Sequence, residues 1–172
     1  MKGFQMQKAR YITQAALIAA LYAALAIGLA PLSYGGQQFR VAEAMAVLPV
    51  FTPAGIPGLF LGCILANFLS PMGLPDLIFG STATLIAAVL TWAIGRKMKN
   101  ERSLLRIIMI PLPAVLINTV IIGAMLAWFY DLPFSIAAVG VLIGQTGSCY
   151  GLGIPLYFAI LGLRKRNVIR FL

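Results

Sequence analysis

Long apolar runs separated by short polar loops constrain this chain more than any other feature of its sequence. The clearest run extends from Tyr11 to Leu32, and an α-helix needs roughly 20 such residues to cross the hydrocarbon of a bilayer. Hydrophobic residues make up 61% of the 172 positions and charged residues only 10%, whereas a soluble domain carries about 25% charged residues. A single soluble core cannot bury this excess, so lipid must be the solvent for much of the surface. We therefore expect an all-α membrane protein.

The breaks between the runs predict one transmembrane domain, residues 1–172, built as a bundle of six helices. A short second segment ends at the breaker cluster Pro53, Gly55 and Pro57. The last run is long and rich in glycine, so we expect it to bend. The predicted spans cover about 11–32, 41–52, 56–70, 77–95, 106–128 and 133–163.

The basic residues test this number of spans. With the N-terminus in the cytoplasm, six crossings place residues 1–10, 96–106 and 164–172 on the cytoplasmic side, and these stretches hold twelve of the thirteen Lys and Arg residues. Because cytoplasmic loops carry an excess of Lys and Arg, this distribution favours six crossings over five, with both termini inside. It also accounts for the net charge of +9 without nucleic-acid binding, which would need a basic face on a soluble fold.

Several kinds of chemistry lack candidate residues. The chain has no histidine, which removes the commonest general base and transition-metal ligand. Cys63 and Cys149 lie within apolar runs, where cysteine behaves as a small buried hydrophobe. The sequence contains no glycine-rich phosphate loop and no nucleophile elbow. We therefore expect no cofactor, no metal and no enzymatic activity, and any ATP hydrolysis must belong to partner subunits.

The four acidic residues give the strongest indication of a site. Glu43 lies in the short second segment, three residues after Arg40, so both side chains project from one helical face. An ionisable residue inside a membrane segment is a candidate functional residue, and a purely structural Arg40–Glu43 pair is the alternative. Asp76 and Asp131 lie in outer loops near helix starts, where a carboxylate favours the helix dipole. Glu101 is predicted to be a solvated counter-charge in the cytoplasmic basic loop.

Uncharged polar residues gather in the outer half of the predicted bundle, which favours a site that opens outward. The aromatic rings near this end could stack on a flat heterocycle or belong to an interfacial aromatic belt. The amides could equally bond across packed helices. The candidate substrate-binding residues are Tyr34, Arg40, Glu43, Asn67, Ser81, Asn118, Trp128 and Gln145.

Two ladders of small residues run along the first span, with a small residue at every fourth position. Small residues at this spacing allow another helix to approach closely. The partner helix could belong to this chain, but the width of the alanine face favours docking on a second protein. The first ladder consists of Ala15, Ala19 and Ala23, and the second of Ala16, Ala20, Ala24 and Gly28.

One block of the sequence resembles a known family. It begins with Phe39-Arg40-Val41-Ala42-Glu43-Ala44-Met45-Ala46-Val47-Leu48-Pro49 and continues through Pro53 and Gly58 to Leu65-Ala66-Asn67. The run Asp76-Leu77-Ile78-Phe79-Gly80-Ser81 follows. Together these stretches resemble the QueT family of substrate-binding (S) components of energy-coupling factor (ECF) transporters, and the similarity covers nearly the whole chain.

The resemblance implies a micronutrient-capture subunit of an ABC importer in a prokaryotic cytoplasmic membrane. The cargo it implies is a queuosine precursor, a 7-deazaguanine base such as preQ0 (7-cyano) or preQ1 (7-aminomethyl). It also implies docking, through the alanine ladders, on a transmembrane coupling subunit that works with two ATPase subunits. Glu43 would accept adjacent N–H donors of such a base. An S component for another vitamin, and a membrane scaffold or stand-alone channel, are the alternatives.

Overall fold

The computed structural model describes residues 2–33 and 39–166, and every regular element within them is helical. Three segments depart from α geometry: a 3-10 helix over Val41–Val50, a first π segment over Asp76–Gly80 and a second π segment over Gly147–Leu152. The α-helices of the described residues are α1 (Lys2–Gly28), α2 (Ala30–Ser33), α3 (Gly55–Asn67), α4 (Ser81–Lys97), α5 (Leu104–Met109), α6 (Leu112–Tyr130), α7 (Phe134–Thr146) and α8 (Gly153–Lys165).

Helix length supports four membrane spans directly. The stretches Met6–Gly28, Asp76–Lys97, Leu104–Tyr130 and Phe134–Lys165 are long and apolar enough to cross a bilayer. The 3-10 helix and α3 are apolar but shorter, and rises of about 2.0 and 1.5 Å per residue make each roughly 20 Å long. The all-α prediction is confirmed for the described residues, whereas helix length alone does not establish six crossings.

The last run changes its helical geometry within the stretch where a bend is predicted. Between α7 and α8 the chain winds into the second π segment, in which Gly147 and Gly151 lie. A side chain at Gly147 would place its Cβ only 2.7 Å from the ring of Phe39. The glycine therefore allows Phe39, which precedes the 3-10 helix, to pack against the second π segment.

Helices α1 and α3 pack closely because small residues face each other along their contact. A Cβ atom added at Gly58 would lie 2.8 Å from the Ile18 Cβ, and one at Gly62 would lie 2.9 Å from the Ala19 carbonyl oxygen. Ala15 and Ala19 are buried in this contact. The alanine ladder that contains them therefore has a partner inside the chain, which is one of the two possibilities that the sequence allows.

We expect Gly62→Ala to destabilise the protein by about 1–3 kcal/mol, the usual cost of overpacking a well-filled core. The new methyl group would also lie 2.7 Å from the Tyr22 Cβ, and neither helix backbone can move away without loss of contact. Thermal unfolding in detergent measures the effect. Gly162→Ala in α8 is the matched control, because a Cβ there has no neighbour within 4 Å. Equal stability of the two variants would contradict the close packing.

The 3-10 helix runs antiparallel to α1 and joins the two ends of the bundle. At its start, Arg40 Nε donates a hydrogen bond to the Ser33 carbonyl oxygen over 3.3 Å. Just past its end, Thr52 Oγ1 donates to Gln14 Oε1 over 3.0 Å. We call the first of these ends the polar end. The other is the basic end, which carries residues 96–106 and 164–166.

The second half of the chain is anchored at the basic end by the loop between α4 and α5. Tyr157 Oη donates to the Glu101 carbonyl oxygen over 2.9 Å, and Arg164 pairs with the Glu101 carboxylate at 2.8 Å. The prediction that Glu101 is a counter-charge is confirmed. The predicted N-terminal capping by Asp131 is wrong, since this residue follows the end of α6 in the left-handed conformation (φ 52°). It ends α6 instead of starting α7.

The surface of the bundle is apolar and its interior holds charge, the reverse of a soluble protein. Large side chains such as Ile12, Val120 and Ile143 are exposed, whereas Arg40 and Glu43 are buried. A bilayer solvates the exposed side chains, and charged residues inside membrane segments face the bundle interior and pair there. The distribution agrees with the membrane class expected from composition.

Candidate functional site

Each of the three helical segments that depart from α geometry carries one buried polar or charged side chain: Glu43, Asp76 and Ser148. The 3-10 helix packs against the second π segment, and the first π segment packs against α3, α4 and α6. A 3-10 helix rarely exceeds three or four residues, and π segments occur frequently at functional sites. Their irregular backbone is tolerated at membrane depth only where protein or a water-filled cavity surrounds it. The convergence of these segments marks the candidate site.

Arg40 and Asp76 form a buried ion pair at the polar end. Nη2 of Arg40 lies 2.9 Å from Oδ1 and 2.7 Å from Oδ2 of Asp76, whose side chain is fully buried. The pair ties the start of the 3-10 helix to the first π segment, across 36 positions in the sequence. Asp76 does lie in the first turn of a helix, as predicted, but its carboxylate pairs with Arg40 and does not cap that helix.

Asn67 supports this ion pair from the end of α3. Its Nδ2 donates to the backbone oxygen of Asp76 over 2.9 Å and lies 3.3 Å from the Cys63 sulfur. A side chain at Gly80 would clash with this amide, because its Cβ would lie 2.6 Å from Asn67 Nδ2. A cavity of about 190 Å³ lies beside Asn67 and is also lined by Phe68, Gly73, Leu74 and Leu77.

Glu43 is held by a tyrosine on the opposite helix. Tyr22 Oη donates to Oε1 of Glu43 over 2.6 Å, and both side chains are almost completely buried. Among the described residues, the hydrogen bond to this carboxylate is accepted by Oε1, and none is accepted by the second oxygen, Oε2. A buried carboxylate with one oxygen fixed and one available can accept hydrogen bonds from a ligand in a defined direction.

Gln145 and the second π segment extend the site from the 3-10 helix towards α6. The Cys149 sulfur lies 3.5 Å from Gln145 Oε1 and 3.6 Å from the Glu43 carbonyl oxygen. Cys149 also packs with Ala114 and Val115 of α6. Asn118 lies one turn further along the same helix, where i, i+3 and i+4 positions share a face. Tyr22 and Cys149, from two distant parts of the chain, therefore contact Glu43, and Cys149 connects this contact to α6.

Several buried polar atoms at these elements lack a partner within the part of the chain that the structure describes. An unpaired polar atom in a dry interior costs about 1–3 kcal/mol, so each needs an explanation, and a ligand that supplies the missing bond is one. Such atoms come from α3, α4, α6 and the second π segment, all of which adjoin the site. They are Asn67 Oδ1, Ser81 Oγ, Asn118 Nδ2 and Ser148 Oγ.

The remaining predicted residues fall in different places. Trp128 is 73% exposed and lines an apolar surface groove with Ile78 and Phe79, so its position corrects the idea that it stacks over the buried polar groups. Hydropathy predicts where α6 ends but not the face from which each ring projects. An exposed Trp at the end of a span is typical of the aromatic belt at a membrane interface. Tyr34 lies outside the described residues.

The two alanine ladders of α1 differ in how far they are buried. The first ladder is buried inside the bundle, so this conformation does not present it to a second protein, which counts against the docking prediction for its members: Ala15, Ala19 and Ala23. The other ladder faces outward and keeps docking as a prediction: Ala16, Ala20 and Ala24.

Sequence reasoning missed three residues of the site. Tyr22 lies inside an alanine-rich apolar run, which gives no sign of a polar contact. Asp76 lies near a helix start, which suggests capping, and its partner Arg40 is remote in sequence. Ser148 gave one available signal, since it lies between glycines in a run that was expected to bend. A polar residue at a predicted helix distortion is a reasonable candidate for a site.

Comparison with known proteins gives a family. A model of the QueT transporter family matches residues 12–161. A segment of 77 residues is 39% identical to the queuosine precursor transporter QueT of Lactococcus lactis subsp. cremoris (strain MG1363), and it covers 44% of this chain and 45% of that relative. The chain thus matches less than half the length of the curated relative. No solved structure matches. Because the family model extends over most of the residues, the chain belongs to the QueT transporter family.

Proposed function

We propose that this protein captures a queuosine precursor, a 7-deazaguanine base, at an outward-facing site in the membrane. Two findings support the proposal: family membership, and a curated relative that is named as a queuosine precursor transporter. The observation that carries it is Glu43, a buried carboxylate with one oxygen bound by Tyr22 and the other available among the described residues. Unpaired polar atoms on four surrounding elements accompany it.

The hydrogen-bonding edge of the base matches this carboxylate. A guanine-type ring presents a ring N–H and an exocyclic amino group side by side, and both are donors. Oε2 of Glu43 can accept from them, in the charge-assisted geometry that gives strong hydrogen bonds. Asn118 Nδ2 and the Ser148 hydroxyl are donors that could meet the ring carbonyl oxygen. The Asn67 and Gln145 oxygens are acceptors at the margins of the site.

The orientation follows from the two ends of the bundle. We propose six crossings with both termini in the cytoplasm, because the basic end carries most of the Lys and Arg residues. The 3-10 helix passes from Arg40 at the polar end to Thr52 beside Gln14 near the basic end. Because the 3-10 helix extends from one end of the bundle to the other, its path supports a crossing, which its length alone does not establish. The polar end would then face the outside, where cargo arrives.

Transport energy would come from partners. We propose that the protein docks on a transmembrane coupling subunit with two ATPase subunits, as an ECF S component, through the exposed ladder of α1. Ala16, Ala20 and Ala24 lie on one outward face at helical spacing, and such faces let two helices pack closely within lipid.

We expect Ala20→Leu to reduce copurification with the coupling subunit by at least about fivefold. Overpacking a close helix contact costs about 1–3 kcal/mol, and 1.4 kcal/mol corresponds to a factor of ten. Affinity purification of the co-expressed complex gives the measurement. The control is Ala124→Leu, the same change at an exposed position of α6. Equal loss of the complex in both variants would argue against docking through α1.

Calorimetry on the purified protein tests the cargo. Titration with 7-aminomethyl- and 7-cyano-7-deazaguanine should give saturable binding below micromolar, and guanine should bind more weakly. Tight binding of a different vitamin would replace the cargo but retain the transport class. Absence of binding to these bases and to a vitamin panel, with copurification of no coupling subunit, would favour a scaffold or channel.

A further inference from the structure

A basic pocket lies at the basic end of the bundle, opposite the polar end that carries the candidate site. It has a volume of about 430 Å³, which is within the range of small-molecule pockets. The loop between α4 and α5 forms one wall and α8 forms the other. The lining residues are Lys99, Asn100, Glu101, Arg102, Phe158, Leu161, Gly162 and Lys165.

Hydrogen bonds hold the walls of this pocket in place. Tyr157 on α8 donates to the Glu101 carbonyl oxygen, and Arg164 on α8 pairs with the Glu101 carboxylate. On the far side of the loop, Arg106 donates to the Met98 carbonyl oxygen. The loop is therefore fastened to α8 near its middle and to α5 near its start.

The pocket offers unbalanced positive charge. Arg164 does not line the pocket, but its guanidinium pairs with the Glu101 carboxylate and neutralises that negative charge. Lys99, Arg102 and Lys165 remain, and none of them has an ion-pair partner within the ranges that the structure describes. The three cations surround one space at the level of the membrane surface, where a single anionic group could contact all of them.

Apart from Lys165, the lining residues that α8 contributes are apolar. Leu161 is buried, Phe158 is half exposed, and a side chain at Gly162 would meet open space. Cations at the rim above an apolar helix face match a molecule with an anionic head and a hydrocarbon tail. A free phosphate would use the cations and leave this apolar wall without a partner.

We propose that this pocket binds the headgroup of an anionic phospholipid of the cytoplasmic leaflet, with the phosphodiester between Arg102 and Lys165 and an acyl chain along Phe158. Basic pockets between membrane helices on the cytoplasmic side are known to bind such headgroups. The site is independent of cargo capture at the polar end.

Native mass spectrometry tests the proposal on the whole protein, purified in neutral detergent with equal dioleoylphosphatidylglycerol and dioleoylphosphatidylcholine. The anionic lipid should be retained preferentially. Because each cation near the surface contributes about fivefold in affinity, Arg102→Gln with Lys165→Gln should weaken its binding by roughly 25-fold. The matched control, Lys8→Gln with Arg10→Gln, removes the same charge from the N-terminal part of α1 and should retain the lipid. Equal losses in the two double variants would overturn the site.

A second variant separates shape from charge. Gly162→Leu should occupy part of the pocket, since a Cβ at this position meets open space, and should reduce retention of phosphatidylglycerol at least about fivefold although every charge is kept. Unchanged retention would overturn the proposed position of the lipid. Millimolar glycerol phosphate should compete poorly, because it lacks the chain that contacts α8. Equal binding of glycerol phosphate and of the lipid would assign the pocket to a free anion and overturn the lipid proposal.

Discussion

Replacement of Glu43 by Gln is expected to weaken the binding of 7-aminomethyl-7-deazaguanine by about 30- to 1,000-fold. The amide keeps an oxygen for Tyr22 Oη, which lies 2.6 Å from Oε1 in the present structure. It replaces the available oxygen by an NH₂ donor, which would face the N–H groups of the base. Loss of one partner of a buried, hydrogen-bonded charge pair costs about 2–4 kcal/mol, which corresponds to this range of affinity. Calorimetry on the detergent-solubilised variant measures it.

Tyr22→Phe is the control for this prediction. It removes the hydrogen bond that orients Glu43 but keeps the carboxylate, so we expect a smaller loss of about tenfold, from one hydrogen bond to a charged group. Thermal unfolding of both variants shows whether a weaker affinity reflects loss of fold. Wild-type affinity in a well-folded Glu43→Gln protein would exclude the carboxylate as the group that binds the base.

Asp76→Asn is expected to lower the free energy of unfolding by about 3–5 kcal/mol. The carboxylate accepts two hydrogen bonds from Arg40 Nη2 and is fully buried. Removal of its charge takes away the carboxylate that pairs directly with the buried guanidinium, and such breaks are among the most destabilising single changes. Denaturant titration or thermal unfolding in detergent measures the change. Asp131→Asn, at an exposed carboxylate between α6 and α7, should change stability by less than about 1 kcal/mol.

The double variant Arg40→Met with Asp76→Leu distinguishes a lost charge pair from a lost packing contact. Apolar residues of similar volume can replace a buried ion pair at little cost in stability, so this variant should recover most of what Asp76→Asn loses. A double variant as unstable as the single one would show that the polar end depends on shape and not on charge. The same protein also shows whether Arg40 contributes to cargo affinity beyond its pairing with Asp76.

The interruptions of the helices could be predicted only in part. Glycine and proline positions indicated a bend in the last run, and the change of helical geometry found there is the second π segment over Gly147–Leu152. Nothing in the local sequence predicted that Val41–Val50 is wound as a 3-10 helix. Its apolar residues give no clear preference between helical types, so contacts with α1, α4 and the second π segment select the geometry.

The candidate site shows the same division. Glu43 could be predicted because a carboxylate in an apolar segment is costly and therefore needs a reason. Its partner Tyr22 could not, because a tyrosine in a membrane span is common and its orientation depends on how α1 packs against the 3-10 helix. The two alanine ladders were equivalent in sequence, and only the approach of Gly58 and Gly62 on α3 buried one of them.

The sequence by itself determined the membrane class, the helical segments and the basic end of the bundle. These features depend on hydropathy and charge summed over neighbouring residues. Those sums decide whether a segment inserts into the bilayer and in which orientation, whatever the tertiary fold. The tertiary structure alone decided that Arg40 pairs with Asp76, that Tyr22 holds Glu43 and that Trp128 faces outward. Partners of a buried charge are chosen by helix packing, which joins residues far apart in the chain, and no local pattern of residues encodes that choice.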